Sequence, residues 1–284
     1  MLRWFMLPVC ALGWCIALQA QMQTLEAGLF AGISTYFGDL QQVRFEKDEA
    51  HPAWGGFLRY RPSPRWAFKG HFYKGQISGS DANYTGLNIR KRNLSFRSPV
   101  LEAGLQTELS LARFGERESF KASPYIFSGL SVFYFNPQAP FNGGWVALQP
   151  LGTEGQGLPQ YPEPYKLVQV SIPLGVGFQF AVAQAVFFGF ELGFRKTFTD
   201  YLDDISSTYP DLALLASHNP MAAELSFRSP EFTGQELPLP SGEVRGDPDT
   251  LDMYFFGGFT CSVVIQKWFK PKKRATVKNF RAQF

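Results

Sequence analysis

The stretch Tyr165–Phe180, "YKLVQVSIPLGVGFQF", decides the fold. Val168, Val170, Ile172, Leu174, Val176, Phe178 and Phe180 fall on one face of an extended chain, and Gln169, Ser171, Gly175, Gly177 and Gln179 fall on the other. Side chains alternate across a strand, so a period of two marks a strand with one apolar and one polar face. The following "VFFGFELGFRKTF" repeats the pattern, with Phe188, Phe190, Leu192 and Phe194 opposite Gly189, Glu191, Gly193 and Arg195. Leu101, Ala103, Leu105 and Leu109 alternate with Glu102, Gly104, Gln106 and Glu108. Near the end, Met253, Phe255, Phe259, Cys261, Val263 and Ile265 alternate with Asp252, Tyr254, Thr260 and Gln266.

Weaker strands at Leu25–Tyr36, Trp54–Arg61, Arg65–Ser78 and Pro124–Phe135 bring the total to about eight, each of about ten residues, long enough to cross a bilayer at a tilt. The connections alternate in length. Short ones fall at Arg61–Arg65, Arg113–Ser123 and Val182–Ala185; long ones fall at Phe37–Ala53, Gly79–Ser95, Asn136–Pro164 and Thr199–Thr250. Short periplasmic turns and long outer loops are the pattern of outer-membrane barrels. The expected fold is an eight-stranded antiparallel transmembrane β-barrel with both chain ends in the periplasm. The soluble alternative, a lipocalin-like barrel or sandwich, would bury its apolar face, and eight strands enclose too little space for 29 Phe.

Composition agrees. The 284 residues are 16% aromatic and only 18% charged, yet mean hydropathy is slightly negative, as when every second strand residue faces lipid. A net charge of +3 argues against a nucleic-acid partner. Residues 1–20 read as a secretory signal peptide: Arg3, an apolar run, then small Ala17 and Ala20. The barrel then occupies 21–268, and 269–284 form a basic tail. Only Cys261 lies beyond the signal segment, so no intrachain disulfide is expected.

The face assignment sends Glu102, Glu108, Glu191 and Arg195 inward, together with Arg59, Lys69 and His71. Eight strands leave room for side chains but not for a channel, so a plug of ion pairs and hydrogen bonds is expected, with a proton or ion path as the sharper alternative. Asp200, Tyr201, Asp203 and Asp204 follow the seventh strand. They read as turn chemistry, with Asp200 capping a short helix from Tyr201; a partner contact or a Ca²⁺ site are the alternatives. Thr153, Glu154, Gly155, Gln156 and Gly157 lack the Walker lysine and read as an ordered outer loop packed on Leu148 and Leu151. Arg245–Gly246–Asp247 spells an adhesion tripeptide in an ordinary turn context. His51 and His218 could meet Asp203 at the rim, but the spacing does not demand it, and no enzyme, metal or cofactor is expected. The tail carries Lys270, Lys272, Lys273, Arg274, Lys278 and Arg281 without an acid, and reads either as a solvated end near anionic lipid or as a docking segment for an acidic periplasmic partner.

Several stretches carry a family resemblance: "GLFAGISTYFGDL" (28–40), "RYRPSPRWAFKG" (59–70), "PYIFSGLSVFYFNP" (124–137), "WVALQPLGTEGQG" (145–157), "FRKTFTDYLDDISSTYPD" (194–211) and "DMYFFGGFTCSVVI" (252–265). "LGTEGQG" and "DYLDDIS" are the most distinctive. Through them the chain, from Leu25 to Trp268, resembles the PorG-like outer-membrane barrels of the type IX secretion system of Bacteroidetes. The resemblance implies a non-enzymatic part of an export machine that sits in outer-membrane lipid beside a periplasmic ring of PorK and PorN type, linked in gliding species to motility. The rival expectation is a stand-alone barrel of OmpA or OmpX type for envelope integrity or adhesion.

Overall fold

The structure, a computed structural model, describes residues 23–41, 46–112, 122–183 and 185–265. The expected signal peptide, the basic tail and most of the Arg113–Ser123 connection therefore lie outside the described residues. Eight long strands form the wall: β1 (Thr24–Phe37), β2 (His51–Arg61), β3 (Trp66–Ser80), β4 (Ser95–Ser110), β5 (Ala122–Phe135), β8 (Val168–Ala183), β9 (Val186–Thr197) and β10 (Met253–Val264). A short hairpin, β6 (Gln138–Phe141) and β7 (Gly144–Ala147), rises beyond the wall. Each wall strand pairs antiparallel with its chain neighbours, and β1 pairs with β10 from Glu26↔Val264 to Phe37↔Met253, so the sheet closes on itself without a free edge.

The alternation read from the sequence becomes a division between wall and lumen. Leu29, Leu105, Leu130 and Phe259 stand 69–74% exposed on the outside. Polar and charged residues turn inward, an arrangement that makes sense only if the outside meets lipid. Aromatic and basic side chains bound this apolar wall. Tyr60 and Trp66 mark the turn side, and Trp54, paired with Lys74, marks the loop side. Trp66 to Lys74 covers about 26 Å of strand at about 3.3 Å per residue. At a tilt of about 40° that is about 20 Å of depth, close to the belt of a bacterial barrel.

The lumen has two halves. On the turn side it holds charge. Arg59 meets Glu26 at 3.0 Å and Glu108 at 2.8 Å, the latter as an ion pair too bent for a hydrogen bond. Lys69 reaches both oxygens of Glu191 at 2.5 and 2.6 Å. Where the charged half meets the loop-side half, Arg195 meets Glu102 at 3.1 Å, and Glu102 also takes Tyr254 Oη at 2.6 Å and contacts His71 Nε2 at 2.8 Å. The loop-side half is mainly aromatic and aliphatic, where the plug was expected to consist of ion pairs and hydrogen bonds. Phe30 stacks on Tyr73 with ring centroids 4.5 Å apart, and Tyr36, Phe96, Phe133, Phe135 and Phe256 fill the rest with Ile77. Inward positions of the upper strands are aromatic, which the strict polar-inward reading did not anticipate. Leu40, Leu202 and Ile205 descend from the loops and seal the mouth.

The long connections are more structured than the sequence suggested. Asn136–Pro164, read as a long loop ordered around Thr153–Gly157, also contains the β6–β7 hairpin. Its two-residue turn is Asn142–Gly143, both at positive φ (48° and 79°), which suits the twist of a tight hairpin. The loop between β9 and β10 folds into α2 (Leu212–His218), α3 (Pro220–Ser226) and α4 (Ser229–Thr233). Asp211 caps α2 by accepting from Leu214 N–H at 3.0 Å, and Asn219 caps α3 ahead of Pro220. Leu212, Leu215 and Ala222 pack together with Leu151 and Leu158 against them. A further helix, α1 (Leu87–Arg92), joins β3 to β4.

Candidate functional site

Above the aromatic plug, the loops assemble a buried polar cap. Its residues come from two remote stretches, Thr153–Gly157 and Asp200–Ser206, held together by Arg245. Gly152, Gly155 and Gly157 all adopt positive φ, so the backbone here winds tightly enough to turn Glu154 inward. The Glu154 carboxylate accepts from Ser206 N–H at 2.9 Å, Ser207 N–H at 3.2 Å and Ser207 Oγ at 2.9 Å, and pairs with Arg245 Nη1 at 2.8 Å. Thr153 Oγ1 and Tyr165 Oη (2.7 Å) both donate to the Asp204 carboxyl. The Tyr165 ring stacks on Tyr201 at 4.7 Å. Gln156 Oε1 accepts from Glu154 N–H at 3.0 Å.

The expected helix beginning at Tyr201 is absent. Asp204 sits at φ +70°, a left-handed conformation that breaks a helix, and Asp203 Oδ1 accepts from Ile205 N–H at 2.9 Å. Asp200 therefore caps nothing. Its carboxyl is buried and burial pushes it up to about 7. Asp203 and Asp252 face each other across the Tyr36 hydroxyl, at 2.6 and 2.9 Å. A phenol has one proton to give, so the two carboxyls share it unless one of them carries a proton of its own. Burial holds both acids well above the usual carboxylate range, and for Asp252 the charge of Asp203 adds to it. Burial also raises Asp204 to about 6, against the opposing charge of Arg245.

The chemistry of this cluster is that of a hydrogen-bonded seal. No set of three metal-ligating side chains is gathered among the described residues. Thr153, Glu154, Gln156, Asp200, Asp203 and Asp204 are buried; Thr153 bonds to Asp204, Gln156 to the Glu154 backbone, and Asp203 to Tyr36. Arg245 of the adhesion-like tripeptide is 3% exposed and committed to Glu154 and the Asp204 carbonyl, which removes its guanidinium from the surface. His51 contacts Ser78, and His218 lies at the end of α2 near Leu214; neither is paired with Asp203. Glu102, Glu108, Glu191 and Arg195 lie in the lumen below. Sequence reading missed Tyr36, Asp252 and Arg245 as cap members, although the buried Asp252 stands just before the final strand. The Lys270, Lys272, Lys273, Arg274, Lys278 and Arg281 tail lies outside the described residues.

In sequence, no curated protein matches the chain significantly. In structure it is similar to Neisserial surface protein A (8% identity over 84% of this chain and 96% of that one, TM-score 0.41). It is also similar to the attachment invasion locus protein Ail of Yersinia pestis (9%, 85% and 97%, 0.40) and to the N-terminal β-barrel domain of Pseudomonas aeruginosa OprF (9%, 86% and 98%, 0.37). A family model described as a domain of unknown function, DUF6089, matches residues 4–147, just over half of the 284 residues, and the chain belongs to that family.

Proposed function

We propose that this chain is a non-enzymatic outer-membrane barrel of the type IX protein secretion system, one that anchors or supports a periplasmic ring of PorK and PorN type. The observation that carries the reading is the meeting of the two stretches with the family resemblance. "LGTEGQG" and "DYLDDIS" join through Glu154 and Asp204 into one buried unit, so their shared presence is the signature of one cap architecture. The sealed lumen supports a role as anchor rather than pore, and the buried cap acids support a non-catalytic one. On this reading the loops face outward, both termini lie in the periplasm of a Gram-negative cell of Bacteroidetes type, and the basic tail docks on an acidic surface of the ring.

Deleting the gene tests the reading: type IX cargo should stop reaching the surface, and gliding should fail in species that glide. Normal export in the deletion strain would overturn it. Removing Phe269–Phe284 should leave a folded barrel that captures less PorK and PorN; equal capture would end the docking role of the tail. The stand-alone adhesin reading draws on exposed apolar residues of the outer loops, Val244 at 77% and Leu239 at 58%. It predicts lost attachment with export intact.

A further inference from the structure

The outer wall carries a groove of about 1340 Å³ across β2, β3, β4 and β5. Two rows of paired residues shape it. Gly56, Phe72, Ala103 and Val132 follow one another in register, and one step toward the turn side come Leu58, Gly70, Leu105 and Leu130. Gly56 and Gly70 lie in the floor. A Cβ on Gly56 would come no nearer than 3.6 Å to another atom, and one on Gly70 would meet only Leu105 at 3.4 Å. Neither glycine is required by tight backbone packing or by positive φ, so each keeps open a depression that any side chain would fill. Glycine at such strand positions marks room for something that approaches closely.

One row toward the loops stand Trp54 and Lys74, with the Lys74 ammonium 5.8 Å from the Trp54 ring centre. Farther up β4, Arg97 lies 3.8 Å from the ring centre of Trp145, which is 44% exposed on the hairpin. An apolar furrow that ends under a cationic and aromatic rim matches a lipid with a phosphate at its head. The wall on the far side of the barrel has a rim cation too, Lys196, but Phe190, Phe194 and Phe259 stand out from it.

We propose that the β2–β5 face seats one phosphorylated glycolipid of the outer leaflet, with an acyl chain over Gly56 and Gly70 and a phosphate against Lys74. This rests on the outer-membrane reading with loops outward. The test is native mass spectrometry of the full chain in detergent, incubated with bis-phosphorylated lipid A, with its dephosphorylated form, or with phosphatidylglycerol. Lys74→Gln should reduce retained lipid A about fivefold, the share of one basic residue at a lipid surface. Gly70→Leu, whose side chain would fill the groove, should reduce it as well, while Lys196→Gln should not. Equal retention by wild type, Lys74→Gln and Gly70→Leu would overturn the proposal. So would equal loss in Lys196→Gln, or equal binding of dephosphorylated lipid A or phosphatidylglycerol. Heat-modifiable migration on gels, measured on the same samples, reports separately whether the outer-membrane barrel itself is present and folded in each variant.

Discussion

Asp204 links the stability of the cap to pH with a definite sign. Its buried carboxyl is raised from 3.8 to about 6, chiefly by burial and against the pull of Arg245. An acid with a raised pKa holds its proton more tightly in the folded cap than in the opened one. Its contribution is therefore complete below about pH 4 and is lost as pH rises through about 6. The rise corresponds to about 3 kcal/mol at ~1.4 kcal/mol for each tenfold change. Asp203 and Asp252, also raised by burial, act in the same direction. The groups facing this cluster are Tyr36 on β1, Asp39 after it, Arg92 on α1, and Thr153, Glu154, Tyr165 and Arg245 from the long loops. The assay is native-state hydrogen exchange in micelles, followed at Leu202 N–H and Ile205 N–H, which the Asp252 and Asp203 carboxyls hold at 2.8 and 2.9 Å. After correction for intrinsic rates, protection should fall on the order of a hundredfold between pH 4.5 and 7.5. Asp204→Asn should flatten part of that slope. Protection that stays constant or grows with pH would refute the protonated seal.

Leu105 is 74% exposed, so Leu105→Arg would cost little in water. At mid-depth in a bilayer it should cost about 2–4 kcal/mol, measured by denaturant titration of the barrel in lipid vesicles; a change within about 0.5 kcal/mol would argue against a membrane wall. Arg195→Met should destabilise the barrel by about 3–5 kcal/mol, because Glu102 loses its guanidinium partner in the lumen. Adding Glu102→Leu should recover much of that loss. A double variant no better than the single would show that the pair is not what Arg195 supports.

The wall was legible in the sequence because each strand reports its two faces every second residue. Phe188 to Arg195 places four apolar side chains outside and Glu191 and Arg195 inside, as the wall requires. The upper lumen was not legible by the same rule. In Pro124–Phe135 both faces are apolar, since Phe133 and Phe135 point into the plug while Leu130 and Val132 meet the outside. Periodicity cannot separate two apolar environments. The cap was legible only in part. "FNGG" is a strong hairpin signal, and Asn219–Pro220 a strong helix start, so both features were available to local reading. The joining of Glu154 to Ser206 and of Asp203 to Asp252 spans 52 and 49 residues, and no local rule reports a partner at that distance.

The paired charges of the lumen balance: Glu26, Glu102, Glu108 and Glu191 against Arg59, Arg61, Lys69 and Arg195. A balanced ionic interior is no more stable, as a rule, than a well-packed apolar one, so stability alone does not account for it. Register does. A strand that slips by one residue sends its whole inward set to the outside. For β3 that would move Lys69 from its contact with Glu191 into the apolar belt, and for β9 it would expose Glu191 and Arg195 there. A basic residue exposed at mid-depth costs about 2–4 kcal/mol, and its former partner is left unpaired in the lumen. An apolar lumen would impose no such penalty, because Leu or Phe is equally at home on either face of this wall. The ion pairs thus select one alignment of eight strands whose outer faces are nearly interchangeable, and that alignment brings the loop ends to the height at which Glu154, Asp204 and Arg245 can meet.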